Sequence, residues 1–338
     1  MNFYVSKRPA KRRVNKFFIV VIVSVILLCL AFFANKLRES FRKPANCYNI
    51  YDNLFGLMAY EDRTLAESFA NNLTVVSDDV SIKRINTKDA KSVCLFALNQ
   101  KEVIYSKNAH KTVYPASITK VMTALLVLEN SKMDDKVKIT DAIKRLPSGS
   151  SSSNIKVGDI MTVEQLLYAM LLPSGGDASL ALAEYISGDV DEFCRLMNER
   201  AHKLGATKTH FMNPHGFFEE NHYTTAYDIY LIFNEAIKHE EFLKIISTPK
   251  FICNYTSSDN KACQLTFTNT NRYINGEHRI KLDAMIIGGK TGYTSEAGRC
   301  LVLLSRDEDN NSYISIVMKA SDQNMLYSQM DNLLKEID

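Results

Sequence analysis

The seven cysteines include no C-x-x-C pair and none at metal-ligand spacing from a histidine, so the cysteine pattern implies no metal and no metal cofactor. An excess of charge of either sign is nearly missing too. The net charge is only +3, and Lys7, Arg8, Lys11, Arg12, Arg13 and Lys16 crowd the N-terminus. No basic stripe recurs afterwards, which leaves no footprint for a nucleic-acid partner. A phosphate-binding loop is also lacking. The stretch GGKTG does not have the spacing G-x-x-x-x-G-K-[ST], and no helix pattern follows it.

What is present is ordinary globular composition, 46% hydrophobic and 23% charged over 338 residues, enough for one large domain or two modest ones. Residues 17–34, FFIVVIVSVILLCLAFFA, carry no charge and are long enough to cross a bilayer as a helix. A cleaved signal peptide fits less well. Its apolar core is usually shorter, cleavage after Ala34 would place bulky Phe32 at minus three, and Leu28 before Cys29 spoils a lipoprotein box. The basic cluster before the run, against Lys36, Arg38, Arg42 and Lys43 after it, predicts a cytoplasmic N-terminus and an extracytoplasmic body in the cell membrane. The expected division is a basic tail over 1–16, an anchor over 17–34, a spacer over 35–88 and a catalytic domain over 89–338. Cys253 and Cys263 flank a polar segment and either close a hairpin as a disulfide or stay free; Cys94, Cys194 and Cys300 read as small buried hydrophobes.

Apolar spacing predicts a short helix over 52–72, strands over 92–97 and 102–105, and a helix over 117–129 that is apolar on nearly every face. Further helices are expected over 163–172, 178–187, 190–204 and 225–240. Strands follow over 250–255, 263–268, 285–288, 298–305 and 312–318, and an amphipathic helix over 324–337. Strands at both ends of the domain with helices between them suit an α+β sheet joined from distant parts of the chain.

Ser117-Ile118-Thr119-Lys120 places a hydroxyl and an amine on one helix face. A serine needs a base to become a nucleophile, and a lysine of lowered pKa can serve. Ser247-Lys250 and Ser258-Lys261 share the spacing, but only the first leads into a long apolar helix. Lys290-Thr291-Gly292, followed by Tyr293, sets a cation and a hydroxyl where a carboxylate can bind and a glycine where a ligand can approach the backbone; the plain alternative is a turn with a solvated lysine. For a second serine on the proton path there are two candidates. Ser258-Asp259-Asn260 matches the S-D-N triplet of β-lactamases and penicillin-binding proteins but reads as a hairpin tip. Ser174-Gly175-Gly176 matches only its first position, yet lies in a turn between two apolar helices.

With those residues in view, the chain resembles the D-alanyl-D-alanine carboxypeptidases, the low-molecular-weight penicillin-binding serine peptidases. The likeness is carried in order by YPASITKVMTALL, MLLPSGGDASLALAE, MNERAHKLGATKTHFMNPHGF, HYTTAYDIYLI, NTNRY and GGKTGYTSEAGRCLVLLS. It implies a β-lactamase/transpeptidase-like fold with an antiparallel sheet of mixed order on a helical block. It also implies Ser117 as nucleophile, Lys120 as its base and Ser174 as proton relay. Lys290 and Thr291 would hold the terminal carboxylate and keep the Lys120 pKa low, and the N–H groups of Ser117 and Tyr293 would form the oxyanion hole. The implied substrate is the D-Ala-D-Ala end of peptidoglycan stem peptides, with β-lactams as mimics.

Three departures stand out. Gly176 occupies a position where most members carry Asn, and Asp177 or a water is the candidate substitute. The β-rich domain of many relatives is not expected after the last helix, so the N-terminal segment is expected to do the anchoring. VMKAS near Val317 lacks an arginine that many relatives have. Against a class A β-lactamase stands the missing E-x-x-L-N stretch after Ser174. A zinc peptidase built on Glu219 and His222, or on His210 and His215, lacks a third ligand. Gly176 keeps alive a membrane-tethered penicillin-binding sensor without turnover, because an active site that loses a polar partner loses activity.

Overall fold

The runs VCLFA, CLVLLS and YISIVM form the middle of a sheet because both of its faces are covered. The computed structural model describes residues 73–337. In it a five-stranded antiparallel sheet has the order β2-β1-β9-β8-β7. Its strands are β1 (Ser92–Ala97), β2 (Glu102–Lys107), β7 (Met285–Thr294), β8 (Gly298–Arg306) and β9 (Ser312–Ala320). Successive side chains of a strand point to opposite faces. Thus Cys94, Phe96, Val302, Leu304, Ile314 and Ile316 join a core shared with the helical block, while Val93, Leu95, Leu301, Leu303 and Val317 pack with the C-terminal helix. The antiparallel sheet of mixed order on a helical block is the α+β architecture expected.

The helical block centres on α1 (Lys120–Asn130), buried from Lys120 to Val127. Around it lie α2 (Val163–Leu171), α3 (Gly176–Ser187), α4 (Val190–Lys203), α5 (Ala226–Ala236) and α6 (Glu240–Ile246). Local chemistry sets the ends. Thr162 and Gln165 form a capping box on α2, Asp189 caps α4, and Gly188 terminates α3 in the left-handed conformation. The helix expected over 225–240 is two helices. The second begins at Glu240 and Glu241, whose carboxylates suit a helix N-terminus better than a helix end. The chain closes with α7 (Arg272–Asn275) and α8 (Gln323–Leu334).

A smaller sheet, ordered β3-β4-β5-β6, adds β3 (Lys136–Lys138), β4 (Ile160–Thr162), β5 (Lys250–Thr256) and β6 (Ala262–Thr268). Two of these strands have three residues each, too few to show a period. Cys253 and Cys263 are free thiols; register sets Cys253 opposite Leu265 and Cys263 opposite Tyr255, so they do not face each other across the hairpin.

The anchor over 17–34 and the helix over 52–72 lie outside the described residues. No helix among the described residues is long and apolar enough to cross a membrane. The end of the segment read as a spacer packs on the domain. Thr74 N donates to the Tyr230 hydroxyl at 2.9 Å, Val76 and Ile85 are buried, and Arg84 pairs with Glu336 at 2.6 Å.

Candidate active site

Ser117 lies in a 3-10 turn, Ala116–Thr119, that runs directly into α1. The geometry brings Lys120 Nζ to 3.1 Å from Ser117 Oγ, and Lys120 Nζ also donates to the His215 carbonyl at 2.5 Å. Ala116 adopts φ 47°, a conformation that non-glycine residues hold only when their surroundings impose it. Here the NPHGF loop does so. A Cβ on Gly216, itself at φ +82°, would stand 1.9 Å from the Ala116 carbonyl oxygen, so only glycine lets the two backbones meet.

The histidines of this loop are structural. His222 accepts from Met212 N at Nδ1, which leaves Nε2–H to donate to Thr119 Oγ at 2.8 Å, and Thr119 in turn donates to the Ala116 carbonyl. His215 accepts from Phe217 N through Nδ1. Burial holds both imidazoles neutral with pKa values of about 3. Glu219 is engaged by Asn213 at 3.0 Å.

Ser174 follows α2 in the turn into α3 and is buried at φ 66°, a second non-glycine residue held at positive φ. Lys290, on β7, donates to Ser174 Oγ at 3.0 Å and to its neighbour's carbonyl, Thr291 O, at 2.9 Å. The strand was expected to stop at Gly288. It runs on to Thr294, because the glycines that hide its apolar period are what let it pack closely. A Cβ on Gly292 would meet Pro115 O at 3.0 Å and Ser117 N at 3.2 Å, so β7 passes beside the Ser117 amide. That closeness brings the Tyr293 end of the strand toward the N–H of Ser117. Thr291 Oγ1 is 2.6 Å from Thr270 Oγ1.

Ser117, Lys120, Ser174, Thr291, Gly292 and Tyr293 line one cleft of about 720 Å³, together with Gly149 to Ser151, Phe217, Phe218, Thr270, Arg272 and Arg299. Two buried lysines serve it, Lys120 in its lining and Lys290 behind it through the bond to Ser174. Burial first, and the Lys290 charge second, hold the Lys120 ammonium well below the ordinary lysine range, with Asp177 opposing. Burial brings Lys290 down to about 7. Among the causes of the lowered Lys120 pKa, the Lys290 charge thus ranks second to desolvation. An amine of lowered pKa against a half-buried hydroxyl, with a second serine bonded to a second lysine opposite, is a set of groups able to activate a nucleophile and protonate a leaving group.

The decoys are elsewhere. Ser247 caps α6 and Lys250 is exposed at the start of β5. Ser258, Asp259 and Asn260 form the tip between β5 and β6, where Asp259 pairs with Lys261. Asp177 does not stand in for an amide at 176. Its carboxylate accepts from Ser152 Oγ, Ser153 N, Ser153 Oγ and Ala178 N, pinning the serine-rich loop to α3. Three contributors carry no motif of their own: the His215 carbonyl, the Thr270 hydroxyl and Arg299. For Thr270 the only signal is its place in NTNRY.

Residues 79–322 match the family model described as D-alanyl-D-alanine carboxypeptidase. The chain is 36% identical over 251 residues to the D-alanyl-D-alanine carboxypeptidase DacF of Bacillus subtilis, covering 73% of this chain and 61% of the relative. It is 31% identical over 258 residues to DacC of Escherichia coli, covering 73% and 60%. The chain thus spans about three fifths of the length of these curated relatives. The fold is similar to the crystal structure of the Streptomyces K15 DD-transpeptidase, with a TM-score of 0.68 at 28% identity, covering 73% of this chain and 96% of that one.

Proposed function

The chain belongs to the D-alanyl-D-alanine carboxypeptidase family of penicillin-binding serine peptidases, and from that premise we propose that it removes the terminal D-alanine of peptidoglycan stem peptides through an acyl-enzyme on Ser117. The observation that carries this reading is the 3.1 Å approach of Lys120 Nζ to Ser117 Oγ in the cleft where Lys290 meets Ser174 at 3.0 Å.

In this reading neutral Lys120 takes the Ser117 proton as Oγ attacks the carbonyl of the penultimate D-alanine. The N–H groups of Ser117 and Tyr293 receive the oxyanion. Ser174, bonded to Lys290, passes a proton to the departing amine, so the C–N bond breaks and free D-alanine leaves. Lys290 and Thr291 face the terminal carboxylate, and Gly292 gives the substrate room against β7. Water then cleaves the serine ester. β-Lactams enter the same path and acylate Ser117. No cofactor takes part in any of these steps.

The sequence supports a single-pass anchor over residues 17–34 with a cytoplasmic N-terminus, a spacer over 35–88 and an extracytoplasmic peptidase domain over 89–338. Resistance of the chain to carbonate extraction from membranes is expected. Release by carbonate would overturn the anchor.

The catalytic test uses the full-length chain in detergent. Fluorescent penicillin should label it, Ser117→Ala should abolish labelling, and a pentapeptide ending in D-Ala-D-Ala should release D-alanine. Labelling without release would reject the carboxypeptidase and support a penicillin-binding sensor. Failure of both would reject the site.

A further inference from the structure

Arg299 opens β8 and pairs in register with Tyr293 on one side and Ala320 on the other. Its guanidinium carbon lies 3.7 Å from the centre of the Tyr293 ring, at the wall of the catalytic cleft. Directly opposed residues of an antiparallel pair share a face, and alternate residues of one strand do as well. Arg299, Tyr293 and Thr291 therefore occupy one face of the sheet, opposite to Lys290, and all three line the catalytic cleft.

Arg84, Arg145, Arg195, Arg200 and Arg272 each pair with a carboxylate of the chain. Arg279, Arg299 and Arg306 have no carboxylate partner among the described residues, and of these three only Arg299 lines the cleft. Glu296, in the neighbouring turn, accepts from Ser295 instead. The backbone is bent at this spot as well. Register between β8 and β9 shifts between Arg299 and Leu301, Lys319 adopts φ 59°, and Gly298 adopts φ 64° with its would-be Cβ 2.8 Å from the Ala320 carbonyl. An irregularity of this kind re-aims a side chain at a cost the sheet must bear. Here it delivers to the cleft a guanidinium stacked on an aromatic ring, with no carboxylate partner among the described residues. Arginine binds carboxylates through two parallel N–H donors, so a free carboxylate is the ligand its geometry selects.

We propose that Arg299 is a specificity-determining residue that binds the free C-terminal carboxylate of the substrate, using Tyr293 as its resting platform. The inference rests on the carboxypeptidase reading. Arg299 then sets the preference for a free chain end over a blocked or internal peptide bond.

The test separates binding from turnover. Affinities of a D-Ala-D-Ala-terminated peptide and of its C-terminal amide are measured by calorimetry on full-length Ser117→Ala chain, with and without Arg299→Gln or Arg299→Lys. D-alanine release is followed in parallel in chains that keep Ser117. Arg299→Gln should shrink the preference for acid over amide by about tenfold to a hundredfold, the weight of a charge-assisted hydrogen bond, and Arg299→Lys should recover part of it. An unchanged acid-to-amide ratio in Arg299→Gln overturns the proposal even if D-alanine is released. A preference that depends on Arg299 without release by the Ser117 chain would uphold it and reject the hydrolytic step alone.

Discussion

Lys290 donates to the hydroxyl of Ser174 at 3.0 Å, joining residues 116 positions apart in the chain. Both partners are buried, so the bond bridges the sheet and the helical block at the floor of the cleft. Removing one partner leaves the other's polar group without its mate.

Ser174→Ala should therefore slow D-alanine release by about a hundredfold or more, the usual weight of a proton-transfer group. Lys290 keeps the Thr291 carbonyl, so the fold should persist. Steady-state release and the rate of penicillin labelling measure the effect, and near-wild-type values would exclude Ser174 from the proton path.

The two lysines predict a pH dependence. Lys120 acts without its proton, and the Lys290 charge is the second cause of its depressed pKa after burial. Replacing that charge in Lys290→Met should raise the Lys120 pKa, and the acidic limb of the acylation rate should move to higher pH. Acylation by a β-lactam across pH is the readout; a limb that stays put would mean the charges do not communicate.

The buried histidines predict acid lability. His215 and His222 are held at about 3 in the folded chain, mainly by burial, against an ordinary value of 6.5. Between those values the unfolded chain binds protons that the folded chain refuses, so stability falls as pH drops from about 6.5 toward 3. Each unit of difference is worth about 1.4 kcal/mol. Urea unfolding at a series of pH values should show this slope, and His222→Gln should flatten it. An equal slope in the variant would assign the lability to other groups.

Gly176 predicts a coupled pair. A Cβ there would lie 2.4 Å from Leu146 Cδ1, the far end of a side chain that can turn away. An amide at 176 would restore a polar partner to the cleft, but Leu146 stands in its space. Gly176→Asn with Leu146→Ala should release D-alanine faster than Gly176→Asn alone. Equal rates would show that Leu146 does not obstruct the position.

Much of the fold was legible because its period is strong. The central strands and the buried helix after Ser117 are long apolar runs. Strands of three residues carry no such signal, and the continuation of β7 through Lys290 was hidden by glycines that have no side chain to alternate. The break between α5 and α6 depends on how Glu240 and Glu241 suit a new helix start, a local charge preference that apolar spacing does not record. Asp177 was a candidate substitute for the amide missing at 176, whereas its four donors come mostly from a loop more than twenty residues earlier.

By itself, the sequence determined which serine leads into a buried helix, that a lysine follows one turn later, and that Ser174 sits between apolar helices while Ser258 sits in a polar tip. Those facts follow from local periodicity, which any segment carries with it. Only the tertiary structure decided that Lys120 reaches the His215 carbonyl 95 residues away, that Lys290 meets Ser174, and that Arg299 lies over Tyr293. Contacts of that range depend on strand register, on the bulge at Arg299 and on close backbone approach at Gly216 and Gly292. None of these is a property of neighbouring residues; each exists only once the sheet and the helical block have packed together.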